Sequence, residues 1–240
     1  MTSSPAAGTF MLDGRQIEFR EGESVLAAAR RHGIDIPSLC YDDRLQAFGG
    51  CRLCAVSVKG VNGFPASCTT QAQPDMEVET RTPKLDGLRR TLLAMVVSEN
   101  GSERLAVDPL RGLASQELHE AVVELQPDLD RFKGATSGSS RPDDENPFIL
   151  RDYDLCISCY RCVRVCAEQE GDYAITVAGR GFGTNISVEF NGHLRDSSCT
   201  FCGQCVQTCP TGALADRKAM RFAQIEDPVE SPRKKRKRWQ

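Results

Sequence analysis

The sequence is poor in the residues that build a large apolar core, because aromatic side chains make up only 6% of its 240 residues. Hydrophobic residues account for 40%, so one extensive core is excluded and several small domains are favoured. No apolar run approaches the roughly 18 residues that a membrane-spanning helix needs. The N-terminal stretch MTSSPAAGTF has no basic segment followed by an apolar one, so no signal peptide is expected. These absences predict a soluble cytoplasmic protein that does not bind a membrane.

Cysteine, in contrast, is abundant. In a reducing cytoplasm an array of cysteines indicates bound metal and not disulfides. Eight cysteines form two runs of the spacing C-x2-C-x2-C-x3-C, which is that of bacterial ferredoxins. These runs are Cys156, Cys159, Cys162, Cys166 and Cys199, Cys202, Cys205, Cys209, and the remaining four cysteines are Cys40, Cys51, Cys54 and Cys68. All twelve are thereby accounted for as ligands of one [2Fe-2S] and two [4Fe-4S] clusters.

Residues 1–80 are predicted to form a β-grasp [2Fe-2S] domain. The Asp13-Gly14 pair within an alternating segment is a strong signal for a hairpin with a type I′ turn. Ser24 is a suitable N-cap for a helix, and Gly33 supplies the left-handed position that ends it. The predicted elements are a hairpin over Thr9–Phe19, a helix over Val25–His32, and strands over Cys51–Val58 and Met76–Thr80. Gly49 and Gly50 precede the C-x2-C pair and let the backbone approach an inorganic sulfide closely.

The spacing of the first four cysteines, C-x10-C-x2-C-x13-C, differs from the plant-type ferredoxin pattern. It resembles the N-terminal binuclear domain of the large iron–sulfur subunit of respiratory complex I. The same domain occurs in NAD-linked hydrogenases and NAD-linked formate dehydrogenases. A four-cysteine zinc site is the alternative, but such sites usually pair two C-x2-C knuckles and only one is present here.

Residues 81–146 are predicted to be a helical connector. A helix over Leu85–Val97 is expected to pack against the first domain through an apolar face, which we predict to comprise Leu85, Leu88, Leu92, Met95 and Val96. Lys133–Asn146 is rich in glycine, serine and charge, and is predicted to be a linker or surface loop.

The connector also lacks a site that the resembling family has. That family carries here a tetranuclear cluster held by one histidine and three cysteines, whereas residues 98–150 contain no cysteine and only one histidine, His119. This cluster is not expected in the present chain. His119 falls in a predicted helix over Ser115–Leu125 and is expected to be a surface or partly buried side chain. The neighbouring clusters must then lie closer together, or a partner subunit must fill the gap.

Residues 147–218 are predicted to be a bacterial-type 2[4Fe-4S] ferredoxin domain, which makes the chain an α+β protein. In two-cluster ferredoxins the fourth cysteine of each run binds the other cluster. That pattern implies one set of Cys156, Cys159, Cys162 and Cys209, and another of Cys166, Cys199, Cys202 and Cys205. Between the runs, Ile175–Val177 and Ile186–Phe190 are strand-like, so the glycines from Gly179 to Gly183 indicate a hairpin or bulge. A nucleotide-binding loop is the alternative, but no strand–turn–helix context supports it.

The region from Arg151 to Leu214 resembles the ferredoxin-like segment of NAD-dependent formate dehydrogenase large subunits and the small diaphorase subunit of NAD-reducing hydrogenases. This resemblance implies an electron-transfer subunit, without an active site of its own, in a hetero-oligomeric NAD-linked oxidoreductase. Its first implied partners are a molybdenum or tungsten formate dehydrogenase-type catalytic subunit and a flavin/NAD(H)-binding diaphorase subunit. A [NiFe] hydrogenase partner is the second possibility. A free multi-cluster ferredoxin and a zinc-binding interaction module are the alternatives from other classes.

Residues 219–240 end in the basic run Arg233–Arg238. A solvated tail is the simplest interpretation of such a run. Docking onto an acidic face of a partner subunit is the main alternative. Nucleic-acid binding is not expected, because nothing else in the sequence indicates a basic face.

Overall fold

The computed structural model describes residues 6–98, 116–132, 146–188 and 192–219. The strands are β1 Ala6–Leu12, β2 Arg15–Arg20, β3 Ser57–Val58, β4 Glu77–Glu79, β5 Ile149–Arg151, β6 Ile175–Ala178, β7 Asn185–Val188 and β8 Leu214–Asp216. The α-helices are α1 Val25–Arg31, α2 Pro83–Ser98, α3 Glu117–Leu125, α4 Arg161–Val165 and α5 Gln204–Thr208. The chain therefore combines helices with short sheets, which agrees with the mixed helix and sheet content of the predicted α+β class.

The first domain is a four-stranded mixed sheet in the order β2-β1-β4-β3. β1 pairs antiparallel with β2 and parallel with β4. Asp13 and Gly14 have φ of 50° and 76°, the pair of left-handed residues that a type I′ turn requires. The predicted hairpin is therefore confirmed.

Helix α1 covers one face of this sheet. Ser24 Oγ accepts a hydrogen bond from the Ala27 N–H at 3.2 Å, and Gly33 has φ of 72°, so both predicted ends of the helix are confirmed. The buried side chains of α1, including Val25 and Leu26, pack with residues of β1 and β2 such as Phe10 in one apolar core.

The predicted strand over Cys51–Val58 is wrong in extent, since only Ser57–Val58 is extended and paired. The preceding residues turn, with Arg52 at φ of 60°, and make only an isolated bridge between Ala55 and Ala66. This turn buries Cys54 while Cys51 stays partly exposed. A regular strand would not turn two cysteines three positions apart to the same side, because successive side chains alternate between faces.

Helix α2 forms as predicted, but its buried face differs from the predicted one. The buried residues are Leu85, Arg89, Leu93, Ala94 and Val97, whereas Met95 is 50% exposed. The face is displaced because Arg89 occupies its centre and is fully buried. An apolar-only criterion could not find that face.

Helices α2 and α3 lie between the two cysteine-bearing parts of the chain. A small core joins them to the first domain, formed by Leu39, Leu53, Leu93, Val97, Leu118 and Leu125. Cys51 and Ile157 pack against it from the two sides. The connector therefore packs against the first domain, as predicted, and reaches the second as well.

The second domain consists of short elements around its cysteines. β5 and β8 pair antiparallel, as do β6 and β7, and the latter pair confirms the hairpin alternative for the glycine-rich segment. Its core of fourteen buried residues includes four cysteines, namely Cys162, Cys166, Cys205 and Cys209.

Two predictions concern segments outside the described residues: the linker, apart from Asn146, and the basic run Arg233–Arg238. His119, in contrast, is described and lies partly buried in α3. Within the described ranges, no helix combines the length and apolar character needed to span a bilayer.

Candidate functional site

The four cysteines of the first domain lie on loops at the edge of its core. Cys40, Cys54 and Cys68 are at most 2% exposed, and Cys51 is partly exposed. Burial removes water from thiolate ligands, which keeps a bound metal group from hydrolysis and lowers the local dielectric. One edge of the site nevertheless stays near the surface, at Cys51.

These thiols are arranged as two pairs, Cys40 with Cys51 and Cys54 with Cys68. A hydrogen bond from the Cys51 thiol lowers the pKa of Cys40 to about 5, against the opposing effect of burial. A hydrogen bond from the Cys68 thiol likewise lowers the pKa of Cys54 to about 6. In each pair the partner's pKa is raised, first by the same shared hydrogen bond and then by burial. Each pair therefore gives up one proton readily, as a metal-binding thiolate must.

The two pairs also lie near enough to each other to interact. The charge of Cys40 acts on both Cys54 and Cys68, so the four thiols share one electrostatic environment. Among the described residues, no three His, Cys, Asp or Glu side chains converge closely enough to hold a single ion. A tetrahedral zinc ion would gather all four sulfurs about 2.3 Å from one point. Two hydrogen-bonded pairs of thiols can instead provide one pair for each of two metal atoms.

Backbone N–H groups point at the sulfurs of this site. The Cys51 N–H donates to Cys40 Sγ at 3.4 Å and the Leu39 N–H donates to Cys51 Sγ at 3.4 Å. The glycines that precede Cys51 make this approach possible. Gly49 has φ of 70°, and a Cβ on Gly50 would lie 2.3 Å from Phe48 Cε1. Such donors stabilise negative charge on sulfur and help to set a cluster's potential.

Arg89 supports the binuclear loops from behind and was missed by the sequence reasoning. Its guanidinium donates to the carbonyl oxygens of Leu53, Thr80 and Ala55 at 3.0, 2.7 and 2.8 Å. Leu53 and Ala55 flank Cys54, so Arg89 fixes the backbone on both sides of that ligand. The available signal was an arginine four residues from both Leu85 and Leu93, in the middle of an otherwise apolar stripe.

The two cysteine runs of the second domain repeat one local backbone conformation. Ser158 and Phe201, each two residues after the first cysteine of its run, have φ of 51° and 58°. Tyr160 and Gly203, each four residues after it, have φ of 58° and 77°. The Ser158 N–H donates to Cys156 Sγ at 3.5 Å, and the Phe201 N–H donates to Cys199 Sγ at 3.4 Å. The second domain is thus internally pseudo-symmetric around its cysteines.

Among these eight thiols, charge interactions connect cysteines of one run with cysteines of the other. Burial raises the pKa of Cys159 to about 12, and the strongest charge interaction on Cys159 is with Cys209 of the other run. Burial also raises the pKa of Cys199, whose strongest thiolate interaction is with Cys166. Helices α4 and α5 carry Cys162 and Cys205 into the space between the two groups, and the charges of these two thiols interact. The fourth cysteine of each run therefore lies with the first cysteines of the other.

The two thiol groups differ in exposure, and one of them lies beside an ion pair of the buried Arg161. Cys202 is the one exposed cysteine of the twelve, all of which lie in described residues. Arg161, 3% exposed, pairs bidentately with Glu117 of α3 at 2.8 and 2.9 Å and donates to the Thr208 carbonyl at 3.3 Å. This pair ties the connector to the residue that precedes Cys209.

Two family models match the chain. Residues 7–83 match the 2Fe-2S iron-sulfur cluster binding domain. Residues 146–215 match the ferredoxin-like domain of NADH-quinone oxidoreductase subunit 3. The chain thus carries a [2Fe-2S] domain followed by a ferredoxin-like domain, and the thiols described above lie within these two segments.

Curated relatives are similar to this chain over most of its length. An NADH-quinone oxidoreductase subunit of Rhizobium meliloti is 35% identical over 204 residues, which are 85% of this chain and 23% of that protein. The HndD subunit of the NADP-reducing hydrogenase of Solidesulfovibrio fructosivorans is 33% identical, with coverages of 88% and 36%. The chain therefore spans about a quarter to a third of the length of these relatives.

A solved structure matches over nearly the full length of both chains. A chain of the crystal structure of NAD⁺-reducing [NiFe]-hydrogenase in the H₂-reduced state is 30% identical, with a TM-score of 0.79. The match covers 88% of this chain and 88% of that chain.

Proposed function

This chain belongs to the family of iron–sulfur subunits shared by NADH-quinone oxidoreductases and NAD⁺-reducing hydrogenases, and we propose that it conducts electrons within a cytoplasmic, hetero-oligomeric complex of that kind. The observation that carries the proposal is the arrangement of the twelve thiols into three groups with no cysteine left over. The first group has the paired geometry of a binuclear site, and the other two interleave as in two-cluster ferredoxins.

The proposed ligand sets are those implied by the sequence. Cys40, Cys51, Cys54 and Cys68 hold one [2Fe-2S] cluster in a β-grasp domain over residues 1–80, with one thiol pair for each iron. Cys156, Cys159, Cys162 and Cys209 hold one [4Fe-4S] cluster, and Cys166, Cys199, Cys202 and Cys205 hold the other, in a domain over residues 147–218. The interaction of Cys159 with Cys209, and of Cys199 with Cys166, supports this crossed assignment.

The clusters, when bound, supply reversible one-electron transfer at low potential. The residues of the chain hold and tune them. Thiolates bind iron, N–H groups such as those of Leu39 and Cys51 donate to sulfur, and Arg89 keeps the Cys54 loop in place. Electron transfer needs no side chain to accept or donate a proton, so no acid–base residue is required at any of the three sites.

We propose a flavin/NAD(H)-binding diaphorase subunit as one partner and a catalytic subunit as the other. A [NiFe] hydrogenase subunit is favoured as the catalytic partner, because the hydrogenase chain is matched over 88% of both lengths. A molybdenum or tungsten formate dehydrogenase subunit is the second candidate, favoured by the resemblance of the region from Arg151 to Leu214 to formate dehydrogenases. A free multi-cluster ferredoxin is the alternative without partners.

The metals of the native complex distinguish these candidates. The complex should be isolated through this chain under anaerobic conditions and its metals quantified by mass spectrometry. Nickel together with iron is the expected result, and molybdenum or tungsten would instead indicate the formate dehydrogenase-type partner. The isolated chain should contain about ten iron atoms, the sum for one binuclear and two tetranuclear clusters. A colourless chain that contains zinc and no iron would overturn the proposal.

The size of the native particle separates a subunit from a free carrier. Gel filtration of extract should place the chain in a particle far larger than its own 26.4 kDa. Elution near the monomer mass would support the free ferredoxin and contradict a stable complex.

A further inference from the structure

The two cysteine-bearing domains are in direct contact through residues 41–48, which we call the bridging segment. It begins directly after Cys40 and inserts Leu45 into the core of the second domain. Asp42 accepts a hydrogen bond from Thr208 Oγ1 at 2.7 Å, and the Gln46 N–H donates to Glu168 at 2.8 Å. Its contacts therefore reach residues within two positions of Cys209 and Cys166, one from each proposed tetranuclear set.

Arg164 of the second domain reaches the backbone of the first domain. It lies on α4 between Cys162 and Cys166. Its Nη2 donates to the Cys40 carbonyl oxygen at 2.6 Å, and its Nη1 donates to the Gln46 carbonyl oxygen at 2.5 Å. One side chain thus joins the backbone of a proposed binuclear ligand to a helix that carries tetranuclear ligands.

Aromatic rings complete this contact. The Arg164 guanidinium lies 5.3 Å from the centre of the Phe48 ring, and Phe48 packs edge-on against Tyr160 with ring centres 5.6 Å apart. Phe48 in turn leaves no room for a side chain on Gly50, which precedes Cys51. The position of Arg164 is therefore coupled by packing to the loop that supplies the second binuclear ligand.

Within the described part of the chain, the hydrogen-bond and ring partners of Arg164 are neutral, namely two backbone carbonyls and the Phe48 ring. That charge lies against the backbone of a proposed binuclear ligand, since Arg164 Nη2 is 2.6 Å from the Cys40 carbonyl oxygen. A cluster gains one negative charge when it is reduced. A fixed positive charge nearby stabilises the reduced form and raises the reduction potential, because charges interact more strongly in a partly buried site than in water.

We propose that Arg164 is a positioning residue that sets the spacing between the binuclear site and the tetranuclear sites, and that its charge raises the potential of the binuclear cluster. The inference rests on the proposed function, since it requires the clusters. It also gives a structural reason why a chain without the histidine–cysteine cluster of its relatives can pass electrons directly between its two domains. Two hydrogen bonds to two separate carbonyls require the forked guanidinium, which lysine lacks.

The test compares the full-length chain, reconstituted with iron and sulfide, with three variants. Arg164→Met removes both the charge and the hydrogen bonds, whereas Arg164→Lys keeps only the charge. Arg52→Met is the matched control, because Arg52 lies next to Cys51 yet donates within its own domain, to the Phe64 carbonyl at 3.1 Å. Redox titration monitored by EPR gives the midpoint potential of the binuclear cluster. Spin-relaxation enhancement between the reduced clusters reports the spacing of the two domains.

Arg164→Met is expected to shift the binuclear midpoint to lower potential and to weaken the magnetic coupling. Arg164→Lys should restore most of the midpoint but not the coupling. Arg52→Met should leave the coupling at its wild-type value. If Arg164→Met fails to load its clusters, the magnetic coupling in Arg164→Lys tests the proposal instead. Lost coupling in that variant supports the role of Arg164, and wild-type coupling contradicts it.

Two results would overturn the inference and are distinguishable. A wild-type chain without a binuclear signal would refute the proposed function and this inference together. A normal wild-type signal, with midpoint and coupling unchanged in the Arg164 variants that load their clusters, would refute the role of Arg164 alone.

Discussion

The two domains differ in how large a share of their buried cores consists of cysteine. The first domain has a core of seventeen buried residues, of which Cys54 and Cys68 are the only cysteines. Phenylalanine, leucine, isoleucine and valine side chains from a four-stranded sheet and a helix supply most of the rest. In the second domain four of the fourteen core residues are cysteines, and its strands have at most four residues.

This difference indicates where the folding free energy comes from. A sheet and helix that enclose their own apolar core can bind a cluster without depending on it for their fold. Short elements that have four thiols among fourteen core residues depend more on the bound metal, and binding free energy then becomes folding free energy. The following predictions test this contrast.

Removal of iron is expected to have the largest effect. In a chain treated with a chelator and a reductant, the second domain should lose its hydrogen-exchange protection, because α4, α5 and the β6–β7 hairpin pack around the thiols. The first domain should keep protected amides in β1, β2 and α1. Hydrogen exchange with mass spectrometry measures both domains in one sample. Retained protection in the second domain, or equal loss in both, would contradict the contrast.

Substitutions of single cysteine ligands are expected to have the second-largest effect, and this effect should differ between the domains. The proposed binuclear ligands all come from the first domain, whereas each proposed tetranuclear cluster needs cysteines from both runs of the second. Cys209→Ala should leave the same tetranuclear EPR signal as Cys156→Ala, although these residues belong to different runs. Cys166→Ala should match Cys199→Ala in the same way. The control, Cys54→Ala, should remove the binuclear signal and leave both tetranuclear signals. If Cys209→Ala instead matches Cys199→Ala, each run holds its own cluster and the crossed assignment is wrong.

Arg89→Met should have the smallest of these effects and confine it to the first domain. It leaves three buried carbonyl oxygens without their donor, at about 1 kcal/mol each or more, so the free energy of unfolding should fall by about 3 kcal/mol. Urea unfolding followed by circular dichroism measures the change. Arg90→Met is the matched control from the same helix, where Arg90 donates to the Leu125 carbonyl at 3.0 Å. Equal effects of the two substitutions would show that Arg89 is not a buried support.

Local sequence features predicted much of the fold because they act over a few residues. The Asp13-Gly14 turn, the Ser24 cap and the Gly33 stop all form as their residue types require. The extent of the strand after Cys51 was mispredicted because the loop bends to place its cysteines. The face of α2 was mispredicted because it is chosen by carbonyl groups distant in the sequence, which need Arg89.

The candidate sites were likewise predictable from the sequence only in part. The cysteine spacing alone indicated iron–sulfur domains of two types, and the matched families agree. The left-handed conformations of Ser158, Tyr160 and Phe201 were not predictable, since none of these residues favours that region by itself. They are imposed by the need to turn N–H groups and thiols toward one centre.

The sequence by itself determined that this chain carries a [2Fe-2S] domain and a ferredoxin-like domain, because ligand spacing is a local property that few other structures share. Only the tertiary structure decided which residues stand between the domains. No local sequence pattern distinguishes Arg164 or the bridging segment. Folding brings residues more than a hundred positions apart into contact, as Arg164 is with Gln46 and Cys40. Long-range packing and the burial of charge select such contacts, and neither leaves a periodic signal in the sequence.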